Sequence, residues 1–342
     1  MDWGLRDRPA RRVVDVVRGP LRRAGVLGVV GGLLAALTVG GGAVGESVPR
    51  LGLHPLWSDP DSLAHAQLTA YETSGRTDLA DALRPLAQAP TATWFTGDAP
   101  RERARALTTA AAAAGELPVL VAYDVPGRDC GSFSAGGAAD DDAYLAWVGE
   151  LAAGIGDRPS VVVLEPDAVA FAVTGCSGVD RRERLGLLRR AVEVLAALPA
   201  THVYVDAGHA GWVQDLPALA TALRAAGVDE AAGFALNVSN FQPTDVTVAY
   251  GRKLSRLLGG AHLVVDTSRN GAGAPVATGR DEDWCNPPGR RIGRLPSTLT
   301  GEDVVDAWLW VKRPGESDGS CRPGEPAAGE WFEGYALALV GV

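Results

Sequence analysis

Val161-Val162-Val163-Leu164-Glu165-Pro166-Asp167 is a run of four apolar residues, three of them β-branched, closed by two carboxylates on either side of a proline. One buried face cannot serve four such residues in succession, so the run reads as a strand buried on both faces, as in parallel sheets. Proline has no N–H to give to a ladder, so regular pairing stops at Pro166 and Asp167 falls at the strand's exit. In a β/α barrel that C-terminal rim is where active sites are built. An isolated Glu-Pro-Asp is more often a helix cap or a turn, so the surrounding pattern has to decide.

Apolar, β-branched runs recur at 91–95, 118–123, 160–164, 202–205, 233–238, 262–265 and 304–311. Between most of them lie Ala/Leu/Arg stretches of helical period, at 101–114, 141–153, 181–198 and 216–226. Strand then helix, repeated, predicts parallel strands joined by crossover helices. An open doubly wound sheet alternates in the same way, but it uses one crevice served by a few strands. Here Tyr123-Asp124, Glu165-Pro166-Asp167, Asp206-Ala207-Gly208-His209, Asn237, Asp266 and Lys312 all follow apolar runs directly. That favours an α/β fold in the form of a distorted (β/α) barrel with about seven parallel strands and its active site at the C-terminal rim.

The first 23 residues carry seven arginines, and Ala24 to Val44 follows without a charge. A basic segment before an apolar one predicts export, as a signal peptide or as an uncleaved membrane anchor over 1–45. Residues 46–60, rich in Pro, Gly and Ser, read as a linker or N-terminal wrap, and 61–342 as one catalytic domain. The expected location is secreted or extracellular. The net charge of −9 becomes more negative once 1–45 is removed, since that segment holds seven basic and three acidic residues. So acidic a domain is a poor partner for nucleic acid or an anionic lipid surface, whereas a neutral polymer is not repelled.

Cys130, Cys176, Cys285 and Cys321 are an even set in an exported chain, without close C-x-x-C spacing, so two disulfides are expected rather than a metal site. Of three connectivities the sequential one, Cys130 with Cys176 and Cys285 with Cys321, is preferred, each closing a loop worth roughly 4 kcal/mol in the chain-entropy model. No His-x-x-His or Glu-x-x-His pair offers a metal cage. Neither metal nor cofactor is expected.

Three carboxylates, Asp129, Asp167 and Asp318, fall on strand-exit segments. Glycosidic bonds are cleaved by a carboxyl that protonates the leaving oxygen and a second group that handles water or the anomeric carbon. The acid must stay protonated near neutral pH, which a dry site or neighbouring carboxylates provide, and Glu165, Asp206 and Asp129 are available for that. Trp94, Trp212 and Trp284 sit beside glycines, acids or a cysteine, where flat indoles can stack on sugar rings. Trp308 and Trp310, inside an apolar run, read as core.

With those residues in view, the chain resembles glycoside hydrolase family 6, the inverting endoglucanases and cellobiohydrolases that cut β-1,4-glucan. The resemblance rests on Tyr123-Asp-Val-Pro-Gly-Arg-Asp-Cys130, Leu164-Glu-Pro-Asp167, Tyr204-Val-Asp-Ala-Gly-His-Ala-Gly-Trp212, Asp283-Trp-Cys-Asn286 and Trp310-Val-Lys-Arg-Pro-Gly-Glu-Ser-Asp-Gly319, in that order. It implies a distorted barrel of seven strands and the sequential disulfide pairing. By it Asp167 falls on the general acid, Asp129 on the aspartate that raises the acid's pKa and helps deliver water, and Asp318 on a debated catalytic base. Tyr123 falls on the tyrosine that distorts the sugar at the cleavage point. Lys312 and Glu316 match sugar-hydroxyl ligands and Trp94, Trp212 and Trp284 stacking platforms, and Ser134, Asp206, His209 and Asn237 complete the expected substrate-binding set.

In some members a serine six residues after the second aspartate joins the water chain. Position 135 here is alanine, with Ser134 before it. The loops after Cys130 and Asp318 are short, so an open groove is expected. The implied function is a monomeric, secreted endo-β-1,4-glucanase acting on β-1,4-glucan or cello-oligosaccharides. A mixed-linkage β-glucanase of the same fold and a non-catalytic anchored glycan-binding protein are the alternatives.

Overall fold

The computed structural model of the protein describes residues 51–52, 54–276, 278–279 and 283–342. The expected export segment lies outside them, and no described helix is long and apolar enough to cross a membrane. Seven strands, β1 (Thr93–Phe95), β2 (Val119–Ala122), β3 (Ser160–Leu164), β4 (Thr201–Asp206), β5 (Gly233–Leu236), β6 (His262–Asp266) and β7 (Val305–Leu309), form one sheet in sequence order. Every neighbouring pair is parallel.

The described helices are α1 (Leu63–Thr73), α2 (Thr77–Ala87), α3 (Pro100–Ala114), α4 (Asp141–Ile155), α5 (Ala168–Thr174), α6 (Arg181–Ala196), α7 (Leu216–Ala225), α8 (Thr244–Leu257) and α9 (Glu333–Val340). Asp140, Asp180 and Asp215 cap α4, α6 and α7, their carboxylates accepting from Ala143, Glu183 and Ala218 N–H. Each such cap is worth about 1 kcal/mol.

All five residues of β3 are buried, because successive side chains enter two different cores. Val121, Val161, Val163, Tyr204, Ala235 and Val264 pack inside the barrel. Their neighbours Leu120, Val162, Leu164, Val205, Phe234 and Val265 pack outward under the helices. This two-sided burial is what makes the strands read as continuous apolar runs rather than alternating ones.

The sheet curls without closing. No ladder joins β1 to β7; instead Ala92 N–H donates to Trp310 O at 2.9 Å and the Trp94 indole N–H to Val311 O at 2.8 Å. Trp308 and Trp310 are buried, as expected of core residues. At the other end of the domain Leu51 and Leu56 join the inner core, and Trp57 N–H donates to Leu117 O.

Candidate active site

All seven strands deliver their C-terminal ends to one rim. At the exit of β3, Glu165 (φ 46°) and Asp167 (φ 71°) both adopt left-handed backbone around Pro166. Non-glycine residues seldom occupy that region, and such strain concentrates at functional sites. Asp167 stands at the N-cap position of α5, yet its side chain makes no cap hydrogen bond. The carboxyl is thus left for other work, unlike those of Asp140, Asp180 and Asp215.

Asp167 N–H donates to Asp206 Oδ1 at 2.9 Å, and Gly208 N–H donates to the same oxygen at 3.0 Å. Asp206 is fully buried at the end of β4. Burial, then the negative charges of Asp206 and Asp129, hold the Asp167 carboxyl well above the usual range. Burial likewise pushes Asp206 up to about 7, against the two N–H groups, with Asp266 adding to the rise. Two neighbouring buried carboxyls that retain a proton near neutrality meet the requirement for a general acid. Glu165, also expected to act on Asp167, turns the other way, toward the backbone of Asp124 and Val125.

Asp129 begins a short 3-10 turn (Asp129–Gly131) in which Asp129 and Cys130 have φ of 54° and 50°. The turn is anchored by the Cys130–Cys176 disulfide. Asp129 Oδ2 accepts from Ser134 N–H at 2.7 Å, so Ser134 reaches the site through its backbone. Arg128 ties the loop to β2: its guanidinium lies 5.2 Å from the Tyr123 ring centroid and donates to Tyr123 O at 2.9 Å and Ser134 O at 2.7 Å. Burial, then the charges of Asp167 and Asp129, raise the Tyr123 phenol far above its ordinary value, so it stays a protonated donor. Trp94 meets Tyr123 edge-on, centroids 5.2 Å apart.

Asp318 is held in the opposite protonation state. Its burial alone would raise the carboxyl, but Arg269 at 2.7 Å and Lys312 at 3.3 Å hold it below the usual range, with Asn286 N–H donating at 3.0 Å. A base works best when its conjugate acid titrates near the working pH, so this twice-paired carboxylate is poorly suited to take a proton. Burial lowers Lys312 in turn, and its Nζ also donates to Ser317 O at 2.8 Å. Glu316, mostly buried, pairs with Arg313 at 3.0 Å.

Burial pushes His209 down to about 4, so the ring is neutral, with Gly211 N–H near Nδ1 at 3.2 Å. Trp212 leans on Phe171, centroids 4.8 Å apart. Asn237 has a different task from the sugar contact expected of it. It is fully buried, and its amide donates to Asp266 O at 2.8 Å and accepts from Gln242 N–H at 3.0 Å. Its hydrogen bonds are spent on holding the turn after β5.

Phe133 of the first rim loop packs against Gly319 of the second, where an added Cβ would collide with the ring. Trp284 meets Phe133 edge-on, centroids 6.0 Å apart. The second loop is held by the Cys285–Cys321 disulfide. Sequence reasoning missed both Phe133 and Arg269. For Arg269 the available signal was a cation three residues beyond the strand-end Asp266.

An incomplete parallel barrel with paired buried carboxyls and indole rings on one rim defines a barrel of the carbohydrate-cleaving type. Residues 53–341 match the family model described as glycosyl hydrolases family 6, and the chain belongs to that family. Endoglucanase A of Cellulomonas fimi is 44% identical over 275 residues, covering 79% of this chain and 58% of the relative. Endoglucanase 1 of Streptomyces halstedii is 39% identical over 294 residues, covering 83% and 88%. The chain therefore spans less than two thirds of the C. fimi protein and most of the S. halstedii one. Among solved structures, the endoglucanase Cel6 of Mycobacterium tuberculosis, in complex with methyl-cellobiosyl-4-deoxy-4-thio-β-D-cellobioside, superposes with a TM-score of 0.78 at 43% identity. It covers 84% of this chain and 96% of that one.

Proposed function

We propose that the protein is an endo-β-1,4-glucanase that cleaves internal bonds of β-1,4-glucan with inversion, using Asp167 as general acid. The observation that carries this reading is the Asp167–Asp206 pair, a carboxyl kept protonated beside a second buried one and facing Asp129. In the Michaelis complex Asp167 gives its proton to the departing glycosidic oxygen, which is worth most when the leaving group is a plain sugar. Asp129, fixed by Ser134 N–H, keeps the acid's pKa high and orients the attacking water. Tyr123 donates to the sugar at the cleavage point, while Trp94, Trp212 and Trp284 supply stacking faces. Lys312 and Glu316 border the cluster around Asp318, whose part is to hold the rim rather than to take a proton.

The names of the relatives support the choice of glucan, as does the cellobiose-derived ligand of the M. tuberculosis structure. Two disulfides support action outside the cytoplasm, where such bonds persist. The test is release of reducing ends from carboxymethyl-cellulose and from lichenan, with the anomer of the first product followed by NMR. Inversion yields the α-anomer first. A β-anomer, or activity confined to lichenan, would overturn the reading.

A further inference from the structure

Glu165 is a buried carboxyl with no part in the reaction just described. Its backbone N–H continues the sheet, donating to Ala122 O at 2.9 Å. Its left-handed backbone then turns the side chain back across the exit of β2, where Oε1 accepts Asp124 N–H at 3.0 Å and Oε2 accepts Val125 N–H at 3.2 Å. These two amides form the near side of a neck. On the far side Ala138 N–H donates to Asp124 O at 2.8 Å, and Gly137 (φ 96°) lies so close to the Asp124 and Val125 carbonyls that no side chain fits there. Everything between 124 and 138, Asp129 and Cys130 included, is a loop hung from this neck.

The same neck is braced from two further elements. Arg184 of α6 donates to Pro126 O, and its charge and the Tyr144 hydroxyl of α4 both face the Glu165 carboxyl. The charged and titratable groups around Glu165 are thus Tyr123, Asp124, Tyr144 and Arg184. Because Glu165 is two residues from Asp167, one turn of chain carries both the acid and the grip on the loop of its partner.

We propose that Glu165 is a positioning residue: by holding the amides of Asp124 and Val125 with its two oxygens, it sets where Asp129 stands relative to Asp167. Both oxygens must accept for the grip to hold, and they do so in either protonation state, since a carboxyl hydroxyl oxygen still accepts when its proton is turned away from the amides. Glutamine at this position would present one NH2 to a backbone N–H, turning one of the two contacts into repulsion between donors. Alanine would leave both amides buried without a partner, which risks the fold. Glutamine is therefore the informative change.

The kinetic part of the test rests on the glucanase reading; the structural part does not. In Glu165→Gln the kcat for cello-oligosaccharides is expected to fall about ten-fold or more with KM within about two-fold, and the basic limb of its pH profile to move to lower pH as Asp129 recedes from Asp167. The sharper measurement is a cycle with Asp129→Asn: if Glu165 acts through Asp129, adding Glu165→Gln to Asp129→Asn costs less than about two-fold more. Losses that multiply in full, or an unchanged pH profile, would overturn the proposal. Hydrogen exchange addresses the grip itself, since the Asp124 and Val125 amides should lose protection in Glu165→Gln while those of β3 do not. Unchanged protection overturns the proposal even if the wild-type chain proves inert on every glucan, a result that would sink only the glucanase reading.

Discussion

Asp206 receives the backbone N–H of Asp167 on one carboxylate oxygen at 2.9 Å, while its other oxygen is buried without a hydrogen-bond partner. An unpartnered buried carboxylate oxygen is costly, so the neutral form is favoured, in agreement with a carboxyl pushed up to about 7. The pair binds the acid in two ways, placing its backbone and opposing its ionisation.

This relationship makes stability depend on pH. An unfolded aspartyl titrates near 4 and the folded Asp206 near 7, so between those values the folded state holds more protons than the unfolded one. The contribution is complete below about 4 and is lost as pH rises through about 7. Glu165, raised to about 7 by burial, acts in the same direction. The melting temperature should be several degrees higher at pH 5.5 than at pH 8, and Asp206→Asn, which cannot ionise, should flatten that slope. The same substitution removes a negative neighbour of Asp167, so the basic limb of kcat should move to lower pH. A melting temperature that rises from pH 5.5 to 8 would exclude this account.

Asp167→Ala should nearly abolish cleavage of unactivated glucan yet leave oligosaccharide binding within about two-fold. General acid catalysis contributes about 10²–10⁴-fold and matters least when the leaving group is already acidic. Aryl cellobiosides with very acidic phenols should therefore lose much less than cellotetraose. Equal losses across leaving groups would remove Asp167 from the acid's role.

Asp318 is expected to matter for the fold more than for proton transfer. Removing one member of a buried ion cluster leaves the others uncompensated, so Asp318→Ala should cost about 3–5 kcal/mol by strengthening nothing and stranding Arg269 and Lys312. Urea unfolding measures this. Azide restores turnover where a missing catalytic base has left room for a small nucleophile. Turnover of Asp318→Ala that azide restores would make Asp318 the base after all.

The barrel was legible because a strand buried on both faces, such as Val161 to Leu164, leaves no polar alternation to confuse with a helix. The rim was legible because a proline or a carboxylate after such a run has nowhere else to go, as at Pro166 and Asp206. Helices α1, α2, α5, α8 and α9 fall outside the helical stretches legible in the sequence: the apolar positions of α1, α2 and α8 are interrupted by polar residues and, in α2, by Pro85, while α5 and α9 are short and largely apolar. Long-range pairings were harder still. Nothing local to Arg269 announces that it will meet Asp318, 49 positions away, and nothing local to Glu165 shows that it will face Asp124 rather than Asp167.

The contact of Phe133 with Gly319 bears on how a glucan chain enters. Each disulfide lies within its own half of the rim, Cys130 with Cys176 and Cys285 with Cys321, and neither joins the two loops. Among the described residues the bridge is Phe133 lying against Gly319 and Trp284, an aromatic contact worth about 0.5–1.5 kcal/mol beyond its buried area. A bridge that weak opens often, so a chain can enter from the side, which internal cleavage requires. Phe133→Ala should remove it while leaving the Asp129–Ser134 hydrogen bond, a backbone contact, in place. Carboxymethyl-cellulose should then lose more viscosity for each reducing end released, and kcat on cellotetraose should change by less than about three-fold, in line with a single exposed aromatic contact. If viscosity instead falls less per bond cut, Phe133 is a platform for the substrate and not a bar across its path.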